Sequence, residues 1–317
     1  MRLVRHLEDL PHARLAGGSV VTIGAFDGIH LGHRQLQQRV VDNATDLGLP
    51  AVAMSFEPMP NEFFATDKPP ARLMRFREKY DALAQRGIAV FVCPRFAEAM
   101  RDIAASDFIR RVLVHGLNAR HLVVGDDFRF ARRREGSLED LQRVGPALGL
   151  AVEQVPSILV GDVRVSSTAI REALASGDLD VATGLLGRPY RMSGRIVKGR
   201  RVGRSLGYAT ANVDLRRRQS AVMGIYAVRV RGLPEGPVEG VASVGTRPTF
   251  DLVKPVLEVH LFDFDRDIYG EYIHVDFIEH LRDEVKFETV DELVAQMRVD
   301  EENARSALAA HARTTHA

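Results

Sequence analysis

The spacing of apolar residues changes near residue 187, and the change divides the chain. Up to that point, uniformly apolar runs alternate with stretches of helical spacing. Val20 to Ile23, Ala51 to Phe56, Ile88 to Cys93, His121 to Gly125 and Ala151 to Val155 read as strands, each bounded by glycine, proline or polar residues. Helices are predicted from about Leu31 to Leu47, from Arg72 to Arg86, from Asp107 to His115 with Ser106 as N-cap, around Leu138, Leu141 and Val144, onward from Ser166-Ser167-Thr168, and from Asp178 to Leu186. That alternation predicts an α/β domain, a parallel sheet with helices on both faces.

Beyond Gly187-Arg188-Pro189 the texture is different. Tyr190 to Val197, Ile225 to Arg231, Val238 to Val244, Leu257 to Phe264 and Tyr272 to Phe277 alternate apolar and polar positions between glycines and prolines. They predict a small antiparallel β-barrel. Thr289-Val290-Asp291-Glu292 reads as a capping box opening a last helix to about Ala310. The expected domains are residues 1–186 and 187–317.

Composition narrows the setting more than the chemistry. With 317 residues, two cores can be built. A net charge of +1 gives no global field for nucleic acid or an anionic membrane. Cys93 is the single cysteine, so no internal disulfide forms and a reducing compartment is expected. The first residues, MRLVRHLEDLPHARL, are too polar for a signal peptide, and no apolar run reaches the length of a membrane span. A soluble, cytoplasmic protein is expected.

Chemistry concentrates where strands run into helices. In Val20 to Arg39 a strand meets a glycine-broken turn (Gly24, Gly28, Gly32) and then a helix, with His30 and His33 on one face of the helix start. A helix N-terminus offers unpaired amides and partial positive charge, a setting for phosphate. Plain strand–glycine–helix turns are common and so are capping histidines; their coincidence here is what singles the stretch out. Three further stretches stand at similar junctions: Glu57-Pro58-Met59-Pro60 with Phe63 and Phe64, Gly125-Asp126-Asp127-Phe128-Arg129-Phe130, and SSTAIR over residues 166–171. In open parallel sheets ligands bind beyond the carboxyl ends of the strands.

GAFDGIHLGH followed by SSTAIR resembles the HxGH and SSTxxR signatures of the nucleotidylyltransferase superfamily. With FEPMP and VVGDDFRF between them, the first half is similar to the FMN adenylyltransferase domain of bacterial FAD synthetases. The resemblance implies a Rossmann-like nucleotidylyltransferase domain in which FMN attacks ATP and pyrophosphate leaves. It implies catalytic roles for His30, His33 and Arg171, with ATP and its phosphates met by Gly24, Phe26, Asp27, Gly28, Gly32, Ser167 and Thr168. Pro58, Pro60, Phe64 and Asp127 would meet the flavin. Ala25 stands where many relatives carry Asn, and ARRREGS replaces a more glycine-rich loop.

In the second half, Gly199 to Asn212 is glycine-rich and basic, Gly240 to Phe250 reads GVASVGTRPTF, and Glu258 lies on a predicted strand. This order, with LRDEVKF and the closing helix, resembles the riboflavin kinase domain. The resemblance implies that Thr210 and Asn212 hold Mg²⁺ and ATP phosphates and that Glu258 takes the proton from the riboflavin 5′-hydroxyl. It also implies that Gly203 and Gly207 turn amides toward phosphate and that Arg282 and Phe287 meet the flavin. The usual proline before the threonine is Ala209, so looser ATP–Mg²⁺ binding is expected. Expected partners are therefore ATP, riboflavin and FMN, with Mg²⁺ accompanying ATP, no nucleic acid, no membrane and at most weak self-association. Two alternatives compete: a nucleotidylyltransferase with another acceptor, and an RNA-binding barrel. The basic stretch carries Tyr208 as its one aromatic and the chain has no Trp, against the stacking surface an RNA module needs.

Overall fold

In a computed structural model, which describes residues 1–65, 67–199, 208–248 and 253–315, the chain forms two compact units. The first holds Met1–Pro70 and Met74–Ser166, and the second holds Ala71–Leu73 and Ser167–Ala317.

The first unit is built on six parallel strands: β1 (Arg2–Val4), β2 (Ser19–Ile23), β3 (Ala51–Met54), β4 (Val90–Val92), β5 (Ala119–Gly125) and β6 (Ala151–Val155). Their order across the sheet is β1-β4-β3-β2-β5-β6. Helix α1 (Leu31–Asp46) links β2 to β3, α2 (Phe76–Ala84) precedes β4, and α3 (Leu138–Val144) precedes β6. The central strands β2, β3 and β4 read as continuous apolar runs because both faces are covered. Val21, Ile23, Val52, Met54, Val90 and Val92 pack into one core, whereas Val20, Ala51, Ala53, Phe91 and Cys93 pack into the other. From β2 the chain moves outward to β3 and β4, then returns to the opposite side of β2 as β5. The carboxyl ends of β2 and β5 therefore flank the switch point where such sheets open a crevice.

A short hairpin, β7 (Leu159–Val160) and β8 (Val163–Arg164), follows β6. In the second unit α4 (Ser167–Ala175) packs on α5 (Leu179–Leu186), whose N-cap Asp178 accepts the Val181 N–H at 2.9 Å. Six strands then close an antiparallel barrel: β9 (Tyr190–Val197), β10 (Thr210–Asp214), β11 (Gly224–Arg231), β12 (Val238–Pro248), β13 (Val253–Leu261) and β14 (Tyr272–Arg282). Helix α6 (Val290–Thr315) packs on β11, β12 and β14. Thr289 Oγ accepts the Glu292 N–H at 3.2 Å as expected of a cap, but the Glu292 carboxylate accepts from Glu288 rather than closing back on Thr289.

Several boundaries differ from the sequence reading. The helix expected from Arg72 begins only at Phe76, where Glu78 accepts the Arg75 N–H. Ser106 is not an N-cap: it lies inside a helical turn beginning at Ala105, and no side chain caps the π-helical segment Phe108–Gly116. Strands β1 and β10 carry little signal in the sequence, one being short and the other adjoining a stretch of glycines and charges. Gly203 and Gly207 lie outside the described residues, as do Arg200, Arg201 and Arg204.

Candidate functional sites

At the carboxyl end of β2 the chain turns through left-handed backbone at Phe26 (φ 49°), Gly28 (φ 85°) and Ile29 (φ 42°). Two of these are not glycine, and each such residue costs about 1–2 kcal/mol. Burial holds them: Phe26 is fully enclosed and Ile29 nearly so. Three buried polar groups strap the same turn. Lys79 Nζ donates to the Ala25 carbonyl at 2.6 Å, Ser55 Oγ donates to the same oxygen at 3.3 Å, and Asp27 Oδ1 accepts the Met74 N–H at 2.9 Å. Asp27 is thus turned inward, at 1% exposure. The ring of Phe26 covers Gly24, where a side chain would crowd it.

The turn delivers His30 as the N-cap of α1, its Nδ1 accepting the His33 N–H at 3.3 Å. An accepting Nδ1 puts the proton of neutral His30 on Nε2. The two imidazoles stack face to face, centroids 3.7 Å apart and planes 19° apart, with the edge of Phe26 against His33. Gly32 makes room for this, since a side chain there would press on the His30 ring. Burial, then the neighbouring His30 and Lys79, lowers the His33 pKa well below its ordinary value and keeps the ring neutral. Its Nδ1 is sealed from solvent with no hydrogen-bond partner among the described residues. The Leu31 and Gly32 amides have no partner in the helical ladder. The arrangement is a cluster of neutral donors suited to an anion.

Lys79 carried no signal in the sequence beyond an ordinary amphipathic helix. Lys79→Met keeps the length but removes the strap on Ala25. It is expected to cut about tenfold whatever reaction this turn serves, including the adenylyl transfer that the sequence resemblance implies, from the usual strength of a charged hydrogen bond. Assaying FAD formation from FMN and ATP in the variant and the wild type checks this.

Beyond β3, Pro58 and Pro60 lead into a short helix, Pro60–Phe64. Phe64 is 64% exposed, beside Phe63 and Phe96, whose rings meet it edge to face. An exposed aromatic on an aromatic cluster is a stacking platform. Beyond β5, Asp127 is ion-paired with Arg164 of β8 at 3.1 Å, and Arg164 also bonds Asp126 and Ser157. Ser167, Thr168 and Arg171 belong to the second unit. Arg171 donates to the Ala71 and Ser167 carbonyls at 2.7 and 3.1 Å.

In the barrel, strand register does the assembling. Asn212 stands opposite Glu258, Thr210 opposite His260, and Ser243 opposite Glu258. Opposed residues of antiparallel strands share a face. That face is the outer one, for the intervening Ala211, Val213, Leu257 and Val259 are buried. A cavity of about 310 Å³ lies over it, lined by Thr210, Glu258, His260, Arg282, Glu284 and Phe287, and apolar where Leu293 and Met297 of α6 close it. Arg282 joins β14 to α6 through a two-pronged pair with buried Asp300 (2.7 and 2.6 Å), with its guanidinium over Phe287. Burial pushes the Glu284 carboxyl above its ordinary pKa. Gly199 abuts the Asn212 amide, where any side chain would collide with it. Two neutral oxygens, the Thr210 hydroxyl and the Asn212 carbonyl, with room kept beside them, fit a hard cation that arrives carrying phosphate and water as its other ligands.

Comparison with known proteins bears on both units. The FAD synthetase family matches residues 13–169, and the riboflavin kinase family matches residues 186–308. A bifunctional riboflavin kinase/FMN adenylyltransferase of Escherichia coli is 46% identical over 96% of this chain and 97% of its own. Its namesake in Haemophilus influenzae is 41% identical over 96% and 99%. A solved structure described as a macrolide-efflux protein from Streptococcus pneumoniae is 32% identical, with a TM-score of 0.80 over 96% of this chain and 98% of that one. Among the described residues here, no helix is long and apolar enough to cross a membrane.

Proposed function

The chain belongs to the bifunctional riboflavin kinase/FMN adenylyltransferase family, and from that premise we infer that residues 187–317 make FMN from riboflavin and ATP while residues 1–186 convert FMN and a second ATP to FAD. Flavins and ATP are its substrates. The observation that carries the residue assignments is the register of the barrel, which gathers Thr210 and Asn212 of β10 and Glu258 of β13 on one face.

In the kinase step the riboflavin 5′-oxygen attacks the γ-phosphorus, the bond to the ADP oxygen breaks, and the hydroxyl proton goes to the Glu258 carboxylate. An alcohol is a poor nucleophile, so a base is required. Thr210 and Asn212 hold the triphosphate end, and Mg²⁺, when bound there with ATP, offsets phosphate charge. The apolar wall of Leu293, Met297 and Phe287 suits the isoalloxazine ring.

In the adenylyl step a phosphate oxygen of FMN attacks the α-phosphorus and pyrophosphate departs. The nucleophile is already an anion, so donors rather than a base are needed. His30 and His33 supply N–H groups, the loop of Phe26, Asp27, Gly28 and Gly32 and the start of α1 supply amides, and Gly24, whose own N–H is donated to the Met54 carbonyl, anchors that loop to the sheet; the resemblance gives the departing phosphates to Ser167, Thr168 and Arg171. Phe64, with Pro58 and Pro60, offers the flavin a platform, and Asp127 a polar contact. The buried Cys93, the single cysteine of the sequence, supports a cytoplasmic setting.

Thr210→Ala tests the kinase assignment. It is expected to raise the KM for ATP in FMN formation about tenfold or more, as for a lost charge-assisted contact. FAD formation from added FMN should not change. An unaltered KM overturns the assignment.

A further inference from the structure

We propose that His260 is a positioning residue for the nucleotide end of the kinase site, holding the Ala209 carbonyl and so fixing how the chain enters Thr210. The inference rests on the assignment of Thr210 above and adds a residue that the resemblance did not supply.

Residue 209 is where the sequence lacks the proline of the family's usual motif. Alanine leaves the torsions of residue 209 free, and the next residue must present a hydroxyl to phosphate. His260 removes that freedom by another route. It stands directly opposite Thr210 across the β10–β13 pair, so the two side chains share a face. Its Nδ1 lies 2.9 Å from the Ala209 oxygen. A carbonyl can only accept, so Nδ1 carries the hydrogen and donates. The Ala209 carbonyl and the Thr210 amide belong to one planar peptide unit. Fixing the oxygen therefore fixes the plane, and with it the direction in which Thr210 leaves. The ring is itself held, edge-on to Tyr208 at 5.1 Å and to Phe262 at 6.0 Å. It lines the same cavity as Thr210 and Glu258. One imidazole thus grips both residues that precede Thr210, Tyr208 by its ring and Ala209 by its backbone.

The test uses the full chain and separates the hydrogen bond from the packing. H260F keeps an aromatic ring against Tyr208 and Phe262 but cannot donate. H260N keeps an N–H near the Nδ1 position. By calorimetry, H260F is expected to bind a nonhydrolysable ATP analogue about 3- to 10-fold more weakly at the kinase site, the range for one lost hydrogen bond. The KM for ATP in FMN formation should rise by the same factor at nearly constant kcat. H260N should lose less than half of that effect. Adding A209P should rescue H260F, because a fixed φ replaces the lost restraint, and A209P alone should change little. FAD formation from added FMN, read on each sample, should stay at the wild-type rate. A wild-type Kd and KM in H260F, or an H260F/A209P protein no better than H260F, overturns the positioning role. If Thr210→Ala hurts the kinase and H260F does not, only this inference falls; if Thr210→Ala is harmless, the site assignment falls with it.

Discussion

Glu258→Gln is expected to lower the kcat for riboflavin phosphorylation about a hundred- to ten-thousand-fold, the range for loss of a positioned general base, with FAD formation from added FMN unchanged. Glutamine keeps the size of the side chain and its place opposite Asn212 and Ser243. What it loses is the capacity to take a proton. Substrate binding should therefore survive, and KM for both substrates should move by less than about threefold, because the lost interaction is made only in the transition state. Glu284 supplies the internal control. It lines the same cavity but lies beyond the end of β14, not on the strand face that sets Glu258 opposite Asn212. Glu284→Gln should accordingly cost far less than Glu258→Gln. If the two effects were reversed, the base would be Glu284 and the strand assignment would be wrong.

The fold was legible where burial is two-sided and periodic. Val20 to Ile23 and Tyr190–Val197 fell on the strands expected of them, because apolar runs and alternation report directly on covered faces. The histidine turn was legible because glycine spacing and a helix start are local signals. Lys79 and Asp27 show where such reading stops. Lys79 lies inside an amphipathic helix, and only the three-dimensional path brings its ammonium onto the Ala25 carbonyl. Asp27 reads in the sequence as a ligand contact, and its second partner, the Met74 amide, comes from a segment 47 residues away that no local signal announces. His260 was hidden for a related reason. Its role depends on register, which sets Thr210 opposite it, and register is a property of two strands rather than of either sequence. Glu284 lies in a motif that gave no sign of its place in the cavity wall.

His30→Ala is expected to cost FAD formation from FMN about a hundredfold or more, as for a lost oxyanion donor, while FMN formation from riboflavin continues. Two losses coincide in that variant, since His30 also caps α1 through the His33 N–H. Loss of a cap alone costs about 0.5–2 kcal/mol of stability. His30→Asn separates the two, because its side-chain oxygen can still accept from His33 while the imidazole donor is gone. Asparagine should restore most of the melting temperature and little of the activity. The pH dependence of stability gives a second reading. The folded-state pKa of His33 is held well below its ordinary value, first by burial and then by His30 and Lys79. The unfolded chain takes up a proton there near pH 6.5, and the folded chain does not. Stability is complete above that pH and falls as pH drops toward the depressed folded value. Removing His30 removes one neighbouring source of repulsion, so the melting temperature of His30→Asn should fall less between pH 7 and about pH 5.5 than that of the wild type. A variant that recovers both stability and FAD formation would show that the paired rings serve the helix start and not the phosphate.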